Sequence, residues 1–289
     1  MTMRDVMDDP RAMAAVKAAL TEDVGEGDAT TLALVDPAAR ATGEILAREA
    51  CRVAGGTVAS AVLACIDPEL RVAVVVPDGQ PVEPGGTILT IEGKAASILT
   101  AERTALNFMQ RMCGIATLTA RFVEAVQAHG TMILDTRKTT PNLRLFEKYA
   151  VTCGGGTNHR FGLYDRVLVK DNHRRLWQGG DPDRLDLAVA AAREAFPLLE
   201  VEIEVESVAE CQSALRGRPE WIMLDNMSCE MMRACVALCR GVSKTEASGG
   251  ITLARAREVA ATGVDAISLG CLTHSAPSVD LSLEWRAVS

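Results

Sequence analysis

Apolar and polar positions change period several times over the first hundred residues. Residues 11–20 place apolar side chains at helical spacing and predict a short amphipathic helix, followed by the turn-rich segment TEDVGEGDATT. Residues 42–50, 71–76 (RVAVVV) and 87–92 (TILTIE) read as strands, punctuated by Pro77-Asp78-Gly79 and Glu83-Pro84-Gly85-Gly86. A helix is expected over 57–65. A long helical stretch is expected over 96–129, with Gly114 as a point where it could break.

From residue 131 the rhythm becomes strand, helix, strand. Short apolar runs occur at Met132–Asp135, Val167–Lys170, Val201–Glu206, Trp221–Asp225, Lys244–Ser248 and Ala266–Leu269. Helical runs at 185–196, 207–216, 229–239 and 252–262 separate the later ones. This alternation implies a parallel sheet, which closes as a barrel or stays open and doubly wound. The run Val201-Glu202-Ile203-Glu204-Val205-Glu206 decides between them. Side chains alternate faces along a strand, so the three apolar residues share one face and the three carboxylates the other. In an open sheet both faces lie under helices, where three carboxylates would be costly. In a barrel they point into the lumen or its mouth, where they can meet Lys170, Lys244 and a metal. Glu206 is also compatible with a solvated strand end. Lys170 and Asp225 each end a strand, and Lys244, Glu246 and Ser248 share a parity. Charge at strand C-termini is where barrel enzymes place their chemistry.

Composition narrows the ligand. Hydrophobic residues make up 48% of the 289, enough for a packed core, while aromatics at 3% argue against base-stacking or carbohydrate surfaces. The net charge is −8, so a basic face for nucleic acid is not expected. Nine scattered cysteines without a C-x-x-C point to buried free thiols, Cys229, Cys235 and Cys239 among them, and to a reduced, cytosolic compartment. The start, MTMRDVMDDP, has acids where a signal peptide has its apolar core, and no run is long enough to span a bilayer.

Against this acidic background residues 136–173 stand out: TRKTTPNLRLFEKYAVTCGGGTNHRFGLYDRVLVKDNH. Arg137, Lys138, Arg144, Lys148, His159, Arg160, Lys170 and His173 surround a Gly154-Gly155-Gly156 turn. A local cationic cluster in an acidic protein suits a small polyanion. Arginine suits a planar carboxylate, and lysine a phosphate. Glu246-Ala247-Ser248-Gly249-Gly250 and Ser268-Leu269-Gly270 place glycine-bearing loops after the last two strands, as in barrel phosphate sites. Read on its own, Arg103 in AERTALNFMQR favours an ion pair with Glu102.

Thr136–Thr140, Glu147–Val151, Gly154–Gly156 with Asn158–Arg160, and Lys170–His173 resemble the quinolinate phosphoribosyltransferase family. The resemblance covers almost the whole chain, including Glu22-Asp23-Val24, Glu102–Asn107, Leu224-Asp225-Asn226, Glu246–Gly250 and Leu272–Ser275. It departs at Arg174-Arg175, where the family usually has smaller or apolar residues. It implies an N-terminal α/β sandwich (residues 1–112, joined by the tail 276–289) and an incomplete α/β barrel of six or seven strands (113–275). It implies a homodimer in which one subunit's N-terminal domain caps the partner's barrel, to which the charge and cysteine content add a cytoplasmic protein that binds neither nucleic acid nor membrane. The implied reaction joins quinolinate to 5-phosphoribosyl-1-diphosphate with Mg²⁺, giving nicotinate mononucleotide, CO2 and diphosphate for NAD synthesis. It implies quinolinate contacts from Arg137, His159, Arg160 and Lys170, with Arg103 donated by the neighbouring subunit in place of its pairing with Glu102. Lys138, Lys170, Glu204 and Asp225 are the implied catalytic groups. Lys138, Glu204, Asp225, Ser248, Gly249, Gly250 and Gly270 would hold the phosphoribosyl diphosphate, and Glu204 and Asp225 the Mg²⁺, directly or through water. A molybdate-transport-linked relative acting on another aromatic acid, and a catalytically dead anion-binding barrel, are the rival readings.

Overall fold

A computed structural model describes residues 5–178 and 180–288, the side chains of 287 and 288 excepted. In chain order the strands are β1 (Arg40–Ala47), β2 (Cys51–Arg52), β3 (Arg71–Val74), β4 (Pro81–Val82), β5 (Thr87–Lys94), β6 (Met132–Leu134), β7 (Val167–Val169), β8 (Val201–Val205), β9 (Trp221–Asp225), β10 (Lys244–Ser248), β11 (Ala266–Ser268) and β12 (Leu281–Val288). The chain divides into two compact units. One comprises Met1–Ala120, Lys138–Gly155 and Cys271–Ser289; the other comprises Arg121–Arg137 and Gly156–Gly270.

In the first unit an antiparallel sheet runs in the order β12-β1-β5-β3. β1 alternates buried and partly exposed positions along its length, as a sheet covered on one face requires. The last strand, β12, was not read from the alternation of its side chains; it pairs antiparallel with β1, Ile45 opposite Leu283. The helix Pro10–Val24 is capped by Asp9, whose carboxylate accepts the Arg11 N–H. The long helix, Ala95–Val126, is unbroken at Gly114. The glycine serves packing instead: a Cβ there would stand 2.0 Å from the carbonyl oxygen of Pro277. The helices missed include Ala29–Leu34 and Arg144–Cys153. The second hides in the cationic segment because its buried face includes Glu147 and Lys148 beside Phe146, Ala150 and Val151.

The second unit is a six-stranded parallel sheet in the order β6-β11-β10-β9-β8-β7. The chain's first barrel strand therefore lies beside its last, and the succession of neighbours follows the chain backwards from there. No ladder joins β6 to β7 among the described residues, so the barrel is incomplete, with a single bridge from Leu134 to Thr157 on that side. β8 is buried at all five positions. Val201, Ile203 and Val205 are fully buried, each stabilising the fold by about 1.5–3 kcal/mol through apolar burial. All nine cysteines are free thiols, seven of them buried, Cys229, Cys235 and Cys239 included. No helix among the described residues is long and apolar enough to cross a membrane.

Candidate active site

Each parallel strand delivers a polar group at its C-terminal end. β6 is followed by Asp135, which is fully buried and holds the loop beyond it. Asn158 Nδ2 donates to Asp135 Oδ2 at 2.6 Å, and the His159 backbone N–H donates to Oδ1 at 2.9 Å. The residue pair that follows the Gly154–Gly156 turn is thus pinned to the end of the first barrel strand. Arg160 Nη1 donates to the Arg166 carbonyl at 3.2 Å. Burial, and then the charge of neighbouring Arg137, push Arg160 below the usual guanidinium range. The charges of Glu202 and Asp165 pull the other way.

Lys170 directly follows β7, and its Nζ lies 2.5 Å from Glu204 Oε2. Its backbone N–H donates to His173 Nδ1 at 2.9 Å, which fixes the turn where the strand becomes the short helix Asp171–Arg175. The departure at Arg174-Arg175 has a structural use for its first member. Arg174 Nη1 donates to Glu210 Oε1 at 3.0 Å, and Glu210 Oε2 accepts the Glu206 backbone N–H at 2.8 Å. Arg175 is exposed, 3.6 Å from Asp171.

Glu204, Glu206 and Asp225 each offer an oxygen, all within 4.8 Å of one another. Glu204 is nearly buried, Asp225 half-buried and Glu206 exposed. Three hard carboxylate oxygens at a wet strand end suit Mg²⁺, which keeps part of its water. Asp225 also accepts from Asn226 Nδ2 at 2.7 Å. Asn226 sits in the left-handed region at φ 52°, and its N–H donates to the Ser248 carbonyl at 3.0 Å. Gly249 must be glycine: its φ is 95°, and a Cβ would stand 2.2 Å from Asn226 Oδ1. The loops after β9 and β10 are therefore interlocked, with Ser248, Gly249 and Gly250 at the end of one strand and Gly270 just beyond the next, β11.

A second cluster lies deeper. His159 Nε2 is 3.0 Å from Glu202 Oε2 and 3.4 Å from Glu246 Oε2. Both carboxylates are fully buried and His159 is 7% exposed. Burial alone would depress the imidazole; its bonds to the two carboxylates outweigh that and carry it up to about 9. Burial holds Glu246 above the usual carboxylate range, whereas the His159 contact outweighs burial at Glu202 and holds it below. These three could also gather round a cation. Glu202 and Glu246 are the residues that sequence reasoning passed over, although the alternation along β8 and the parity of β10 put both on the lumen side.

Lys244 is the correction. It shares the inward parity of Glu246 but is the first residue of β10, so it lies at the opposite end of the strand from the carboxylate group. It is exposed, with Nζ 5.0 Å from the centre of the Trp221 ring.

Two implied residues belong to the first unit. Arg103 is exposed on the long helix, and its nearest carboxylate is Glu102 at 3.9 Å, the pairing its local sequence suggests. Lys138 is exposed, and its carbonyl accepts from Thr273 Oγ1 at 2.7 Å. In the same unit Arg111 bonds Glu147 Oε1 through Nη2 at 2.8 Å, and Glu147 accepts from Thr140 N and Oγ1, so Thr140 is braced by an ion pair whose carboxylate is buried.

The barrel and its strand ends define a class: an incomplete α/β-barrel protein with carboxylates gathered at the C-terminal ends of its strands. Residues 28–113 match the model of the quinolinate phosphoribosyl transferase N-terminal domain and 115–284 that of the C-terminal domain. The chain belongs to the quinolinate phosphoribosyltransferase family. It is 40% identical over 285 residues to quinolinate phosphoribosyltransferase [decarboxylating] 1b of Nicotiana tabacum, covering 93% of this chain and 81% of the relative. It is 38% identical over 263 residues to the probable nicotinate-nucleotide pyrophosphorylase [carboxylating] of Bacillus subtilis, covering 91% and 89%. Among solved structures, the nicotinate-nucleotide pyrophosphorylase of Francisella tularensis superposes with a TM-score of 0.90 at 35% identity, over 99% of this chain and all of the other.

Proposed function

We propose that this enzyme transfers the phosphoribosyl group of 5-phosphoribosyl-1-diphosphate to quinolinate with loss of CO2, yielding nicotinate mononucleotide for NAD synthesis. The reading rests on membership of the family and is supported by the Arg137 and Arg160 charges lying near one another, in the same unit as the gathered carboxylates of Glu204, Glu206 and Asp225. Quinolinate brings two adjacent carboxylates, which answer a cation pair. The ribosyl centre becomes positive as it reacts, which answers the carboxylates.

In the transfer the bond from ribosyl C1 to the diphosphate oxygen breaks, and its electrons leave with diphosphate. The ring nitrogen's lone pair forms the new bond to C1. The carboxyl next to that nitrogen then departs as CO2, its bonding electrons staying on the ring carbon, which takes up a proton. Arg137, His159, Arg160 and Lys170 form the quinolinate side of the site. Glu204 and Asp225 face the developing positive charge, so no covalent enzyme intermediate is needed. Lys138, Ser248, Gly249, Gly250 and Gly270 hold the phosphates of the donor. Glu204 and Asp225, with Glu206 beside them, would hold Mg²⁺ directly or through water, and the ion would offset the diphosphate charge.

The same proposal includes a cytoplasmic homodimer in which Arg103 serves the partner's site. Its exposure and its loose contact with Glu102 leave the guanidinium available for that. Mixed dimers of Arg103→Ala and Lys138→Ala subunits should regain activity that each parent lacks.

The decisive assay is release of CO2 and diphosphate with quinolinate against nicotinate. Quinolinate should turn over and nicotinate should not, because a pocket built for two carboxylates loses a charge partner when one is missing. Comparable turnover of nicotinate would overturn the reading.

A further inference from the structure

Arg174 is a charged side chain that the fold has largely taken out of water. Its side chain is 10% exposed, and its Nε is buried with no hydrogen-bond partner. A guanidinium kept this dry, with one N–H unanswered, weakens the fold unless its other contacts serve a purpose. Nη1 donates to Glu210 Oε1 at 3.0 Å. Arg174 stands on the short helix Asp171–Arg175 after β7, and Glu210 in the first turn of the helix Val208–Arg216 after β8. The contact therefore ties together the segments that follow two paired strands.

Glu210 passes the constraint on. Its second oxygen, Oε2, accepts the Glu206 backbone N–H at 2.8 Å. The Ser207 cap of this helix needs only the Glu210 backbone, whose N–H donates to Ser207 Oγ at 3.2 Å. Many rotamers of a first-turn glutamate satisfy the helix dipole. The Arg174 contact favours the one that reaches back to Glu206. Glu206 is the exposed member of the three carboxylates whose oxygens lie within 4.8 Å of one another. The other two have side-chain partners: Lys170 Nζ lies 2.5 Å from Glu204, and Asn226 Nδ2 donates to Asp225 at 2.7 Å. Resting on the reading of these carboxylates as the Mg²⁺ site, we infer that Arg174 is a positioning residue for the ion: through Glu210 it fixes the Glu206 backbone just past β8 and holds the third carboxylate beside the other two. Without that brace, the cost of ordering Glu206 falls on the binding step. Lys170 has a brace of its own, the contact of its N–H with His173, so the quinolinate side does not depend on the Arg174 side chain.

The first test measures ion binding apart from turnover. Mn²⁺ is the probe, and free ion is counted by electron paramagnetic resonance in protein without substrates. Arg174→Met keeps the length of the stem and removes the donors. It should weaken Mn²⁺ binding by about fivefold to tenfold, near the low end for loss of a group that orients a metal ligand. Arg174→Lys should stay within about twofold of the parent, because one charge-assisted hydrogen bond to Glu210 survives. Should Arg174→Met not fold, Glu210→Leu carries the same comparison from the acceptor's side. In a Glu206→Ala background, Arg174→Met should add nothing, because the group it acts through is gone. The thermal midpoint separates this role from a merely structural one, which would lower the midpoint and leave Mn²⁺ affinity alone.

The second test is kinetic. Arg174→Met should raise the Mg²⁺ concentration needed for half-maximal turnover by a factor similar to its effect on Mn²⁺ binding. The quinolinate KM should move by less than about twofold, as for a change that leaves a separate contact intact. Unchanged Mn²⁺ affinity in Arg174→Met, an equal loss in Arg174→Lys, or a full effect of Arg174→Met on the Glu206→Ala background defeats the inference. So does a parallel rise in the quinolinate KM. Asp225→Asn tests the underlying reading without touching Arg174: if it binds Mn²⁺ as tightly as the parent, these carboxylates are not the ion site, and that reading fails instead.

Discussion

At the N-terminal end of the parallel strands, Arg166 and Lys244 lie over Trp221, 5.4 and 5.0 Å from its ring centre. That end opens on a cavity of about 580 Å³ lined by Glu220, Arg240, Lys244 and Asp265 among others. At the C-terminal end Asp225 and Ser248 finish their strands, Glu204 stands one residue before the end of β8 and Lys170 one residue past the end of β7. The two ends carry similar charge and differ in what the charges are bonded to. Glu220 accepts the Val201 N–H at 2.8 Å and pairs with Arg193 at 2.9 Å. Asp265 accepts from Thr245 N and Oγ1 at 2.7 and 2.9 Å. These carboxylates fasten backbone and strand register. At the other end, Glu204, Glu206 and Asp225 gather with an oxygen from each close together, beside glycines with positive φ. Neither charge nor cavity size singles out a site. Carboxylates gathered on one another are the better sign, because like charges at close range call for a cation such as Lys170 or a proton to offset them.

The largest effect that separates the two ends should come from Glu204→Gln and Asp225→Asn. Each removes charge that is useful chiefly to the positive transition state. Turnover should fall by about 10²–10³-fold, as when one preorganised electrostatic group is deleted from an active site. Quinolinate affinity, measured by calorimetry, should change little. Arg137→Ala should behave in the opposite way, costing about 2–5 kcal/mol of quinolinate binding, as truncating a desolvated charge pair does. If Asp225→Asn abolishes binding and Arg137→Ala leaves it intact, the roles assigned to these residues are reversed.

A smaller effect is expected at the interlocked loops. Gly249→Ala must place a methyl 2.2 Å from Asn226 Oδ1 and hold a non-glycine residue at φ 95°. The strain should lower stability by about 1–3 kcal/mol, read as a shift in denaturant midpoint. The same change should raise the KM for 5-phosphoribosyl-1-diphosphate more than that for quinolinate. A KM change confined to quinolinate would remove the loop from the donor side of the site.

Much of this was legible in the sequence. The alternation in 201–206 placed Glu202 and Glu204 on the inner face because a strand reverses its side chains at every residue, and a parallel strand buried on both faces leaves few ways to accommodate them. The boundaries of β9 and β10 follow from short apolar runs bounded by turn residues. What stayed hidden had a physical reason in each case. Parity told that Lys244 shares a face with Glu246, but a face has two ends, and only the start of the strand decided which end it occupies. The helix Arg144–Cys153 was obscured because its buried charges imitate a binding loop. Gly114 looked like a helix break because propensity records the backbone cost of glycine but not the carbonyl of Pro277 that needs the space. The His159 cluster was missed because residues from three distant segments meet there, and no local pattern joins Asn158-His159-Arg160 to β8 and β10.

The smallest expected effect is the sharpest check on the comparison. Lys244→Ala deletes a cation from the N-terminal end, beside the large cavity. If that end serves only the fold, the change removes one exposed contact with the Trp221 face. Such a contact is worth about 0.5–1 kcal/mol. The melting temperature should therefore fall by a few degrees at most, since about 1 kcal/mol corresponds to roughly 2–4 °C in a domain of 150–250 residues. Both KM values and kcat should stay at the parent's level. Arg166 remains on the ring and still reaches Glu202, so the His159 cluster keeps its counter-charge. A drop in kcat or a rise in either KM, at unchanged stability, would mean that the two ends of the barrel work together.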